Sequence, residues 1–123
     1  MIDVKPQIYQ AMINDSQLVA LLGGKNVYQI KEKDATVFPR ITFFELDNYE
    51  SRYADDAAFV AEIRIQIDVW HTDNYSSIVN RVNEIMESLG FVRYFATDLF
   101  ESETEPKLFH KALRYKISKV IEE

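Results

Sequence analysis

The stretch Phe59-Val60-Ala61-Glu62-Ile63-Arg64-Ile65-Gln66-Ile67-Asp68-Val69-Trp70 decides the fold. Its odd positions are all apolar, while its even positions are mostly charged or amide side chains. Successive side chains of a β-strand point to opposite faces, so this pattern predicts one buried and one largely wetted face. That arrangement belongs to an antiparallel sheet with something packed on one side. Roughly twelve residues at ~3.3 Å each reach about 40 Å, beyond the usual five or six residues, so part of the hairpin is expected to project past the core. A projecting hairpin suggests a partner.

Working outward, Ile41, Phe43 and Glu45 alternate with Thr42, Phe44 and Leu46, which predicts a preceding strand. Pro39 holds the residue before it extended. A polar interval, Asp47 to Asp56, joins the two strands. Downstream, Ile78, Val82, Ile85 and Leu89 recur at helical spacing, with Asn80, Arg81, Asn83, Glu84 and Glu87 on the wet side. Asp73 or Asn74 is the expected N-cap of this helix and Gly90 its stop. Phe91–Phe95 and Asp98–Glu101 read as one strand with an irregular middle, and Leu108 to Ile121 alternates as a final strand.

Two short helices are expected at the start. Val4, Ile8, Ala11 and Met12 share a stripe, and Pro6 fits only in a first turn. Asp15 or Ser16 caps a second piece through Leu18, Val19, Leu21 and Leu22, stopped by Gly23-Gly24. Most strands are too closely spaced for helical crossovers. The expected class is α+β, an antiparallel or mixed sheet with helices packed on one face.

The 123 residues, 47% hydrophobic with eight Phe, seven Tyr and one Trp, read as a single domain spanning 1–123. No stretch approaches the ~20 apolar residues of a membrane span, and the first residues lack the charged and apolar regions of a signal peptide. The sequence reads as cytosolic, with no membrane partner. Absence of cysteine removes disulfides and thiolate chemistry. A net charge of −6 is opposite in sign to a nucleic-acid grip, so no specific nucleic-acid binding is expected.

Little in the sequence carries catalysis. The only histidines, His71 at a strand end and His110 inside an alternating strand, lie in no nucleophile motif and read as surface or packing residues. Three glycines form no phosphate cradle. Asp55-Asp56 and the acids Glu101, Glu103 and Glu105 read as solvated loops. No catalytic residue, metal site or cofactor is expected. Trp70, on the otherwise wetted face, is either an interface anchor or a lid on a core edge. Tyr49 and Tyr53 raise the same choice.

The whole pattern resembles the tail completion, or head–tail joining, proteins of long-tailed bacteriophages and prophages. The resemblance covers essentially the full length. It rests on the order of the Leu-rich second helix, Val27-Tyr28, Phe38-Pro39-Arg40-Ile41-Thr42-Phe43, the strand end Ile67-Asp68-Val69-Trp70, the long helix and the final strand. It implies a small, tail terminator-like α+β structural protein of the virion, at the head–tail junction, with no enzymatic activity and no cofactor. It further implies the tail tube protein and the head connector protein as partners, and a hexameric ring when assembled. The alternatives are another neck component such as a connector adaptor, a small cytosolic regulatory or ligand-binding module, or a hydrolase built on His71 with Asp68 or Asp73.

A ring closes through two different patches of each subunit. The expected patches differ in charge. Glu45, Asp47, Glu50, Asp55 and Asp56 stand against Arg52 in the first, whereas Lys107, Lys111, Arg114, Lys116 and Lys119 face no acid in the second. The candidate interface residues are therefore Tyr49, Arg52, Tyr53, Asp55, Asp56, Phe59, Trp70, Lys111, Arg114, Lys116 and Lys119.

Overall fold

A computed structural model describes residues 1–31, 34–52, 59–102, 104 and 107–121. The order is α1 (Lys5–Ile13), α2 (Ser16–Leu22), β1 (Val27–Gln29), β2 (Arg40–Arg52), β3 (Phe59–His71), α3 (Ser76–Ser88), β4 (Val92–Ser102) and β5 (Leu108–Ile121). The class is α+β, as expected. The strands form one sheet in the order β1-β2-β3-β5-β4, in which only β1 and β2 are parallel.

Local chemistry accounts for the helices. Pro6 lies in the first turn of α1, where no N–H is needed. Asp15 caps α2 by accepting from the Leu18 N–H at 2.8 Å, and Gly23 ends it with φ +74°, a left-handed conformation that favours glycine. The Asp15 carboxylate also holds the Arg81 guanidinium, with Nε at 3.0 Å, and so ties α2 to α3. The N-cap of α3 differs from expectation. It is Tyr75, without a side-chain cap, while Asn74 Oδ1 accepts from the Ser76 N–H at 2.9 Å. The chain turns into the helix one residue later because Tyr75 reaches back to β4, its hydroxyl donating to Asp98 at 2.6 Å.

The core lies between the helices and one sheet face. Ile63, Ile65, Ile67 and Val69 of β3 meet Ile41 and Phe43 of β2, Leu113 and Tyr115 of β5, and Ile78, Val82, Ile85 and Met86 of α3, all buried. Val4, Ile8 and Met12 of α1 join the same cluster. The polar interval expected from Asp47 is in its first part a strand: β2 runs on to Arg52, paired with β3, because a bulge between Glu45 and Asp47 lets its polar residues continue the ladder, with Asp47 opposite Arg64. The long hairpin does not extend alone. β5 accompanies β3 to the pairing of Ile121 with Phe59, whereas β4 stops at the pairing of Val92 with Lys116. A second bulge, between Arg93 and Phe95, is the irregular middle that the sequence suggested for β4.

Candidate functional site

The helices cover one sheet face and leave the other to its own side chains. On that open face, pairing aligns Arg40, Trp70, His110 and Leu99 in one row, Thr42, Asp68, Ala112 and Thr97 in the next, and Phe44, Gln66, Arg114 and Phe95 in a third. The first two rows hold polar groups that are nevertheless buried: Arg40, Thr42, Asp68 and His110 are each at most 6% exposed. Buried polar groups need partners. The face supplies them as a chain. Arg114 Nε donates to Gln66 Oε1 at 3.0 Å, and Gln66 Nε2 donates to Asp68 Oδ1 at 2.9 Å. His110 then bridges two carboxylates, Nε2 to Asp68 Oδ1 at 2.6 Å and Nδ1 to Glu101 Oε1 at 2.7 Å.

Both ring nitrogens of His110 thus face acceptors, which only the doubly protonated imidazolium satisfies when the acids are ionised. Burial disfavours that charge, but the hydrogen bonds and charges of Asp68 and Glu101 together outweigh it and raise the histidine's pKa above its ordinary value. The indole of Trp70 stacks on the imidazole at 3.9 Å and 13°, and donates to Thr42 Oγ1 at 2.9 Å. Above it, the Arg40 guanidinium lies 5.3 Å from the Trp70 ring and 4.5 Å from Phe38, and donates to the Ala35 carbonyl at 2.9 Å. Trp70 therefore acts as a lid over a buried ionic cluster.

Of the surface and packing roles expected for His110, the structure gives packing: it is buried under Trp70. Its strand, β5, lies between β3 and β4, so Asp68 and Glu101 flank it on both sides. The hydrolase alternative also finds no assembled centre. Asp68 points to the open face and binds His110, while alternation puts His71 on the opposite face, where its Nδ1 accepts from the Thr72 N–H at 3.0 Å. His71 has its pKa lowered by burial, only partly offset by Asp73. Among the described residues no group of three or more His, Asp or Glu side chains could hold a metal ion. The open cleft of about 430 Å³ is lined by Thr72, Asp73, Asn74, Tyr75, Asp98 and Phe109, and within it the Tyr75 hydroxyl is held by Asp98.

The candidate interface residues separate into three groups. Tyr49 is 43% exposed on the outer part of β2, its hydroxyl donating to the Glu62 carboxylate, with Arg64 5.7 Å from its ring. Arg52 pairs with Phe59 across the hairpin, and Tyr53, Asp55 and Asp56 lie outside the described residues. The cations of β5 sit toward the other edge. Arg114 lies 4.9 Å from the Phe95 ring, Lys116 Nζ lies 5.9 Å from the Tyr94 ring, and Lys111 pairs with Asp98 at 3.2 Å. Lys119 stands opposite Ala61. Sequence reading omitted the residues of β4 itself. Val92, Tyr94, Phe95, Leu99 and Phe100 are 41–59% exposed, a concentration of large apolar side chains on an edge strand. Their aromatic density was the available signal.

Residues 6–118 match the family of tail completion protein gp17. The chain belongs to that family. Tail completion proteins are structural proteins of phage tails, which is the class the resemblance implied. A solved structure described as the virion of a native gene transfer agent particle contains a chain of similar fold, with TM-score 0.64 and 14% identity over 90% of each chain. No curated protein matches the sequence. No described helix of this tail completion family member is long and apolar enough to cross a membrane.

Proposed function

We propose that the protein caps the head-proximal end of the tail tube and joins the tail to the head connector, as a non-enzymatic homo-oligomeric ring, a hexamer, in the virion. The observation that carries this reading is the family match over residues 6–118. Two features of the molecule support it. The only buried histidine is engaged on both nitrogens by carboxylates, so it has no free lone pair with which to act as a base. The acidic balance, −6 overall, lets DNA pass through a ring without adhering to it.

The ring reading also fits the way charge is laid out. The acidic stretch of β2 and the cations of β5 lie toward opposite edges of one sheet, as a head-to-tail ring requires. Arg64 offsets Asp47 within the subunit at 3.1 Å, so Glu45 and Glu50 carry most of the described acidic character. The test is negative-stain microscopy of particles from a lysogen deleted for this reading frame. Separate filled heads and tails of abnormal length are expected. Joined virions of normal appearance would overturn the proposal, and normal-length tails beside emptied heads would move the protein to the connector side.

A further inference from the structure

Resting on the ring reading, we propose that neighbouring subunits join by sheet extension: the free edge of β4 takes the outer stretch of β2, Phe44–Arg52, from a second copy of this chain. β4 is 11 residues long, has β5 on one side, and has no described strand on the other. Edge strands of monomers are normally short, charged or covered. This one instead carries Tyr94, Phe95, Leu99 and Phe100, exposed. At the opposite edge, β1 pairs only with Ile41–Phe43, so Phe44–Arg52 also lacks a described strand on its outer side.

Direction and stagger both agree. β2, β3, β5 and β4 alternate in direction, so β2 and β4 run oppositely, and a copy rotated about an axis near the strand direction brings its β2 antiparallel to β4. β4 lies level with Arg40–Asp47 of its own β2, through Leu99–His110–Trp70–Arg40 at one end and Val92–Lys116–Arg64–Asp47 at the other. Because β1 occupies Ile41–Phe43, the incoming β2 must slide by roughly five residues, ~16 Å, across four strand spacings of ~19 Å. That slide corresponds to a tilt of about 40°, within the ~35–45° of closed barrels. The same register brings Glu50 near Arg93, both on the helix side of their strands. Charge agrees as well. The acids of β4 are already engaged, Asp98 by Lys111 and Glu101 by His110, which leaves Arg93 to meet Glu50.

The test uses the absence of native cysteine. Full-length Glu50→Cys and Arg93→Cys chains are incubated, singly and mixed, with tails from the deletion strain and a short bis-maleimide. The mixture should give a cross-linked pair, neither chain alone should, and the double variant should give a ladder. Linkage by Arg93→Cys alone would mean two-fold β4 pairing and overturn the proposal, as would a ring visible by microscopy without the ladder. A native chain that forms no ring on tails would instead fail the ring reading itself. Arg93→Glu and Glu50→Arg should each cut assembly at least tenfold, and mixing them should restore it. Unchanged assembly by either would reject this edge.

Discussion

β3 and β4 are both long and rich in large apolar residues, yet the sheet places those residues differently. Ile63, Ile65, Ile67 and Val69 of β3 are fully buried between a strand on each side and a helix layer. In β4, Tyr94, Phe95, Leu99 and Phe100 are more than two-fifths exposed, with one strand neighbour. The position of a strand in the sheet decides how far its apolar side chains are buried within the subunit. The exposed apolar side chains of β4 stand on both faces of the sheet, Phe95 and Leu99 on the open face and Phe100 on the helix side, so the proposed contact runs along the edge of the strand rather than over one face.

Substitutions should separate the two strands. Ile65→Ala, in the core, should cost about 2–5 kcal/mol in urea unfolding, because it leaves a cavity among side chains that cannot fully close. Asp68→Asn should cost ~3 kcal/mol by removing one of the two charges that hold the buried His110. A cost near zero would mean that the open face is not a structural layer. Asp15→Ala removes the α2 cap and the Arg81 partner together, and should cost about 1–2 kcal/mol. Leu99→Ser should change stability by less than ~0.5 kcal/mol while weakening assembly. A large loss of stability there would place β4 with β3 as a core strand.

Acidity sharpens the same contrast. His110 has a raised pKa in the folded protein, so its contribution to stability is fully present below its unfolded value near 6.5 and is lost as pH rises through the folded value. The stability difference between the native chain and His110→Gln should therefore shrink as pH increases. A difference that stays constant would show that His110 is held without its charge. Asp15 has the opposite sign. Arg81 and the Leu18 N–H hold its pKa down, so its contribution is present above ~3.8 and falls away as pH drops through the lowered value.

Much of this architecture is legible in local sequence. The alternation of β3, Pro6 in the first turn of α1, the Asp15 cap and the Gly23 stop each act within a few residues. The open-face cluster is not local. Asp68, His110 and Glu101 meet because β5 separates β3 from β4, and strand order leaves no mark on any one strand. The sequence left His110 between a surface and a packing role, and only the neighbouring strands decide it, through the cover of Trp70 and Glu101. Asp47–Arg52 read as a polar interval because they lack apolar alternation, yet beyond the bulge at Glu45 and Asp47 they pair with β3. The edge position of β4 followed the same rule: its composition was visible, its missing neighbour was not.

The most direct measurement is negative-stain microscopy of particles from the deletion strain, complemented in parallel by the native chain and by a Leu99→Lys, Phe100→Lys chain whose urea midpoint matches the native one. The account predicts joined virions with the native chain, and separate heads and tails with the folded variant. Joined virions with both would contradict it.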